Sequence, residues 1–77
     1  MFDTQGFAAS LQTHRREREM TQEAVAERLS VSAQSVSRWE RGEAMPDLRH
    51  LCALAELFSV SLDVLLCRGQ RYSRKKD

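Results

Sequence analysis

The sequence predicts a small all-α protein of five short helices. Three observations predict this class. Apolar residues recur at spacings of three and four, as in helices. No stretch of useful length alternates apolar and polar residues, as a strand would. A chain of 77 residues with 42% hydrophobic content suffices for one modest core. We therefore expect one compact domain, residues 1–67, followed by a basic C-terminal tail, residues 68–77.

A repeated sequence pattern predicts the helix starts. In it a capping residue is preceded by an apolar residue, which packs against another apolar residue in the first turn of the helix. The expected caps of helices 1, 2, 3 and 5 are Asp3, Thr21, Ser32 and Ser61. Pro46 followed by Asp47 is expected to begin helix 4, because proline suits a helix start and aspartate complements the helix dipole. Gly42 is expected to end helix 3 with a left-handed cap.

Helical spacing also predicts which side chains face the core. The expected inward residues are Phe7, Leu11, Val25, Ala26, Leu29, Val36, Trp39, Leu48, Leu51, Cys52, Ala55 and either Leu57 or Phe58. Cys52 is interpreted as a small core residue. Helix 5 carries Leu62, Leu65 and Leu66, which complete the monomer core or form a dimer contact, and the sequence leaves these two alternatives open.

Helices 2 and 3 are separated by a very short turn. Only Ser30 and Val31 precede the cap Ser32, so the two helices must cross steeply, as in a helix-turn-helix. Ala26 supplies the small residue that a close crossing needs. If Val31, Val36 and Trp39 point inward, the helical period places Gln34, Arg38 and Arg41 opposite, flanked by Ala33, Ser35 and Ser37.

This outer face suits a DNA major groove. Gln34 can pair with adenine, Arg38 with guanine, and Ala33 can contact a thymine methyl group. Ser32 lies at the positive helix end, and Gln22 is expected beside the sugar-phosphate backbone. Taken singly, each of these residues is better explained as the solvated face of a helix. The tight turn and the small Ala26 together favour DNA contact.

Residues 21–29, 31–42 and 60–66, with Pro46, resemble the lambda-repressor-like family of Cro/cI or xenobiotic-response-element type. The resemblance covers residues 7–66. It implies a five-helix fold, dimeric binding to a roughly two-fold operator, and base contacts from Ser32, Ala33, Gln34 and Arg38. The sequence departs from the family where Glu19 and Ser30 replace a frequent glycine and where His14 replaces a frequent apolar residue.

The resemblance also implies a buried ion pair between Arg15 and Glu40. The residue pattern agrees, because Glu40 falls beside the inward face of helix 3 and a buried carboxylate needs a partner. Arg15 lies one turn beyond Leu11 on helix 1. We therefore interpret Arg15 as structural and Arg41 as the better phosphate ligand.

The charge is distributed unevenly along the chain. Of 12 basic and 11 acidic residues, five basic and one acidic lie in residues 68–77, which leaves a net charge of −3 on residues 1–67. The tail can hold phosphates or be merely a solvated end. The negative remainder motivates a second hypothesis, an antitoxin-like or other protein-interaction module with the same fold.

Other function classes find little support. The two cysteines and two histidines lack the spacing of a metal site, and His50 and Cys52 point to different sides of a helix. Hydrolase, P-loop and dinucleotide motifs are absent, so no enzyme activity and no cofactor are expected. The chain lacks an apolar run of about 20 residues and a signal segment. The sequence therefore predicts a cytoplasmic, homodimeric regulator of transcription, with repression favoured, that binds double-stranded DNA.

Overall fold

The computed structural model describes residues 4–66. Within that range the chain forms five helices: α1 (Thr4–Glu17), α2 (Gln22–Leu29), α3 (Ala33–Glu40), α4 (Leu48–Phe58) and α5 (Leu62–Leu65). The predicted all-α, five-helix fold is confirmed, and the helix-turn-helix falls on α2 and α3. Asp3, Cys67 and residues 68–77 lie outside the described range, so the division into residues 1–67 and 68–77 stays a prediction.

The helix starts within this range follow the predicted caps. Thr21, Ser32 and Ser61 each have extended backbone and accept the N–H of the residue three positions on. Helix α4 begins slightly differently from the prediction, because Asp47 is the cap and Pro46 precedes it. The Asp47 carboxylate accepts the N–H of His50 at 2.9 Å, a hydrogen bond that a proline side chain cannot make.

The turns after α1, α2 and α4 share one three-residue design. The first residue is left-handed in each: Glu19, Ser30 and Ser59 have φ of 57°, 60° and 58°. The second residue is apolar, is half-buried against the core and bonds back to the preceding helix: Met20 to Arg15, Val31 to Ala26 and Val60 to Ala55, at 3.1, 3.0 and 2.9 Å. The third residue caps the next helix. This Schellman pattern therefore ends one helix and starts the next without an intervening loop.

Helix α3 ends with a left-handed glycine, as predicted. Gly42 has φ of 74°, and the N–H of Glu43 bonds back to the carbonyl of Arg38 at 3.0 Å. A Cβ atom at position 42 would lie only 2.3 Å from the side-chain nitrogen of Gln5 in α1. Glycine is thus favoured here by the left-handed backbone, whereas the flexible end of the Gln5 side chain could move away from a Cβ atom.

The core is formed by all five helices. Its most deeply buried side chains are Phe7, Leu11, Val25, Val36, Leu54, Phe58 and Leu65. The predicted inward faces of α1, α2 and α3 are confirmed. Leu65 belongs to the monomer core, and Leu62 and Leu66 pack against it while half-buried.

Helix α4 is rotated relative to the predicted face. Leu54, Ala55 and Phe58 are buried, whereas Leu48 is 68% exposed and Cys52 is exposed. The prediction that Cys52 and Leu48 lie in the core is therefore wrong. Residues 51–55 are all apolar, and in such a run the helical period does not indicate which side turns inward.

The unusual histidine of α1 is accommodated by an aromatic contact. The ring of His14 stacks on that of Phe58 in α4, with centroids 5.7 Å apart and an interplanar angle of 20°. The imidazole thus presents a flat face to the core while half-buried. This contact explains why a polar residue occupies a position where an apolar one is frequent.

We predict that Ser59→Gly stabilises the fold. A left-handed backbone costs a residue with a Cβ roughly 1–2 kcal/mol. Glycine avoids this cost but loses about 0.5–1 kcal/mol through its larger loss of conformational entropy on folding. The free energy of unfolding should rise by roughly 0.5–1 kcal/mol in thermal or urea unfolding. Ser61→Gly, two residues on, is the matched control and should destabilise by a few tenths of a kcal/mol because it removes a cap. Equal losses from both variants would contradict the strain at Ser59.

Candidate nucleic-acid interface

The helix-turn-helix is held from beneath by small and aromatic side chains. Ala26 on α2 is 3% exposed, and Val36 and Trp39 on α3 are 0% and 6% exposed. Helix α3 also packs against α1, so it is supported from two sides. The inward set predicted from the sequence is confirmed, with Val31 half-buried at the turn.

The opposite side of α3 faces solvent. Gln34, Arg38 and Arg41 are exposed and follow one another at spacings of four and three, which places them on one helix face. The structure thus brings together the three residues predicted for this face. Their predicted neighbours Ala33, Ser35 and Ser37 are half-buried at its edges, and Ala33 also packs against the core.

The serine hydroxyls of this surface are engaged in hydrogen bonds. The Ser32 Oγ accepts the N–H of Ser35 at 3.1 Å and lies 3.0 Å from the Ser35 Oγ. The Ser37 Oγ accepts a hydrogen bond from Arg41. These bonds hold the first and last turns of α3 in place, and a ligand that uses the hydroxyls must share them.

Gln34 and Arg38 differ from the serines. Within residues 4–66 neither side chain forms a hydrogen bond or ion pair with the protein. An exposed amide and guanidinium without such partners need not break internal bonds before they pair with a ligand. The two residues predicted to read bases are therefore available for binding.

Arg41 is placed differently, because it is held by an acidic neighbour. Its Nε and Nη2 atoms donate to the two carboxylate oxygens of Glu43 at 3.0 and 3.1 Å. Both side chains are about half exposed, at 51% and 52%. The hydrogen bond from Arg41 lowers the pKa of Glu43, and the charge of Arg38 lowers it further. This pair was not predicted from the sequence, although opposite charges on either side of a helix-ending glycine were its signal.

A buried carboxylate joins the first three helices. The Arg15 Nε and Nη2 atoms donate to Glu40 at 2.6 and 3.0 Å, and the side chains are only 12% and 2% exposed. The third guanidinium nitrogen, Nη1, donates to the carbonyl of Met20 at 2.9 Å. The hydrogen bond to Glu40 raises the pKa of Arg15, so the guanidinium stays protonated. The predicted buried ion pair is confirmed.

Gln22 belongs to the same network. Its Nε2 atom donates to Glu40 at 3.0 Å, to the same carboxylate oxygen that Arg15 Nη2 contacts. The first residue of α2 is thus tied to the last residue of α3. Gln22 is predicted from the sequence to lie beside a phosphate, and its link to Glu40 was not predicted. One amide N–H and the amide oxygen remain for other partners.

Residues 4–66 contain neither a metal-binding cluster nor a membrane-spanning helix. No three histidine, cysteine, aspartate or glutamate side chains gather where they could hold a metal ion. In the same range, no helix is long and apolar enough to cross a membrane.

We predict that Arg15→Ala destabilises the fold by about 3–5 kcal/mol, because it leaves the Glu40 carboxylate buried without a cation. Thermal and urea unfolding measure this loss. The matched control is Arg16→Ala, which removes an exposed arginine from the same helix and should change stability by less than about 0.5 kcal/mol. Equal stability of the two variants would rule out a structural role for the Arg15–Glu40 pair.

The sequence of this chain is similar to those of known proteins. A family model described as helix-turn-helix matches residues 11–65. The HTH-type transcriptional activator BcrR of Enterococcus faecalis is 40% identical over 60 residues, which are 78% of this chain. The chain spans only 29% of the length of BcrR.

Two solved structures have a similar fold. The P22 c2 repressor, solved in complex with a synthetic operator, is 30% identical with a TM-score of 0.74, over 78% of this chain and 91% of that one. Hydroxypropylphosphonic acid epoxidase from S. wedmorenis is 30% identical with a TM-score of 0.75, over 82% of this chain and 34% of that one. From the family match and this geometry, the chain belongs to the Cro/cI-type helix-turn-helix family of DNA-binding transcriptional regulators.

Proposed function

We propose that this chain binds specific double-stranded DNA sites as a transcriptional regulator, with the segment 32–41 lying in the major groove. One observation carries the proposal. Gln34 and Arg38 stand unpaired among residues 4–66 on the exposed face of a helix that the Arg15–Glu40 pair holds in place. A base-reading helix needs polar side chains without internal partners and a rigid support beneath the helix.

Base recognition follows from the chemistry of this face. Gln34 has the donor and acceptor that adenine N7 and N6 require, and Arg38 can donate twice to guanine O6 and N7. Ala33 offers the exposed part of its methyl group to thymine. Ser35 and Ser37, at the edges of the helix, contact the groove walls or the bases through hydroxyls that are already partly engaged.

Phosphate contacts surround the base-reading residues. Gln22 and Ser32 lie at the starts of α2 and α3, where free backbone N–H groups and the helix dipole favour an anion. Arg41 lies at the far end of α3 and binds phosphate on release from Glu43. The basic residues of segment 68–77 add a longer-range attraction.

We further propose that the protein acts as a homodimeric repressor in the cytoplasm. The match to the P22 c2 repressor extends over 91% of that chain, whereas the match to the activator BcrR extends over only 29% of BcrR. Leu48 and Val64 are exposed apolar residues, 68% and 36%, that a second copy would cover. Two copies would place two α3 helices in successive major grooves. Sedimentation with and without operator DNA, and a reporter promoter overlapping the operator, test these points.

We propose no catalytic role for this chain. The likeness to the epoxidase supports this view, because it leaves about two thirds of that enzyme outside the match. The competing function is an antitoxin-like or other protein-interaction module, and the net charge of −3 on residues 1–67 favours it. The alternative predicts a protein partner and no salt-sensitive affinity for duplexes.

Selection of bound sites from a random duplex pool, followed by a salt titration, tests the proposed function. We expect enrichment of a two-fold site, and an affinity that falls steeply between 50 and 200 mM salt, as phosphate contacts require. Replacing Arg74, Lys75 and Lys76 by glutamine should flatten the slope of log K against log salt if the tail contributes. Absence of binding to every duplex at low salt would favour the protein-interaction module.

Arg38→Ala and Arg41→Ala separate base reading from phosphate binding. Arg38→Ala should weaken binding to the selected operator by ~1–3 kcal/mol and relax the preference at one base pair. Arg41→Ala should weaken operator and random duplexes by similar factors. Fluorescence anisotropy on both duplexes measures the losses. Equal losses on the two duplexes from Arg38→Ala would exclude its base-reading role.

A further inference from the structure

The exposed face of α3, which carries Gln34, Arg38 and Arg41, has a carboxylate at its edge. Glu43 lies two residues beyond Arg41 and occupies both the Nε and Nη2 donors of its guanidinium, at 3.0 and 3.1 Å. This two-point arrangement is also the geometry with which arginine binds a phosphate group. The carboxylate therefore occupies one of the donor pairs that a DNA phosphate could use.

The backbone holds Glu43 in this place. Gly42 reverses the chain in the left-handed conformation, and the N–H of Glu43 donates to the carbonyl of Arg38 at 3.0 Å. Glu43 thus lies over the last turn of α3 through its main chain as well as through its side chain. The Ser37 Oγ accepts a hydrogen bond from the remaining Nη1 atom, so two neighbours hold the half-exposed Arg41 side chain.

We propose that Glu43 competes with DNA phosphate for Arg41 and thereby lowers the affinity of this protein for all duplexes alike. The inference rests on the proposed DNA-binding function. DNA binding then requires an exchange in which Arg41 leaves a carboxylate for a phosphate, whereas Arg38 binds without such an exchange. Because phosphates carry no sequence information, the competition reduces affinity on operator and random DNA by similar factors.

This competition limits non-specific binding. A phosphate contact contributes to every site on a chromosome, so restraining it lowers the fraction of protein held at random DNA. Gln34 and Arg38 keep their own contribution to base discrimination. Glu43 therefore sets the strength of binding, while the unpaired residues set its location.

Glu43→Gln tests the inference in the 77-residue chain. Anisotropy should be measured at 50–200 mM salt with the selected operator and with a scrambled duplex of equal length. We expect both affinities to rise by about threefold to tenfold at low salt, and the slope of log K against log salt to steepen by about one phosphate contact. The free energy of unfolding should fall only slightly, because an exposed ion pair adds little stability and the competition cannot lower the affinity by more than the pair stabilises the unbound protein.

Glu56→Gln is the matched control, since it removes the same charge from an exposed residue beside a cavity between α2 and α4. It should change either affinity by about twofold or less. Arg41→Gln completes the cycle and should reduce affinity more in the Glu43→Gln background than in the wild type. A smaller or equal reduction, or equal effects of Glu43→Gln and Glu56→Gln, overturns the inference while leaving the proposed function intact. Failure of the wild type and Glu43→Gln to bind any duplex overturns both.

Discussion

The arrangement of the first three helices depends on one buried carboxylate. Glu40 is the last residue of α3, its side chain is 2% exposed, and it accepts hydrogen bonds from Arg15 on α1 and Gln22 on α2. A carboxylate so far from water is tolerated only when its oxygens are paired. Satisfying this one group therefore sets the positions of α1 and α2 relative to the recognition helix. The bond from Arg15 to the carbonyl of Met20 extends the same constraint to the turn before α2.

The short connectors make this arrangement rigid. In the turns after α1, α2 and α4, an apolar residue belongs at once to the ending of one helix and the start of the next. Such turns leave almost no backbone freedom, but their first residue must adopt the left-handed conformation. Glu19, Ser30 and Ser59 adopt it although none of them is glycine. The strain is tolerated because the half-buried apolar residue and the following cap both depend on it. The crossing of α2 and α3 is thus set by local chemistry as well as by core packing.

The proposed DNA-binding surface, formed by Gln22 and the exposed face of α3, divides base reading and phosphate binding between few residues. Gln34 and Arg38 project from α3 without internal partners among residues 4–66, which suits them to base edges. Arg41 is shared between Ser37, Glu43 and the proposed phosphate, so its contribution depends on competition. Gln22 likewise has a double role, since one amide N–H supports Glu40 and the other can face DNA. In the proposed interface, the partners that each polar group already has therefore set how much affinity that group contributes.

By itself the sequence determined the helix count, the caps within residues 4–66, the helix-turn-helix and the outward set of α3, because these follow from local spacing and capping chemistry. Even the Arg15–Glu40 pair was indicated, since a charge on an inward face requires a partner. Tertiary structure alone decided the rotation of α4, which exposes Cys52 and Leu48, because every residue from 51 to 55 is apolar. It also decided that Glu43 holds Arg41 and that Gln22 joins Glu40. Such contacts depend on where the backbone directs two side chains in space, which spacing along the chain does not specify.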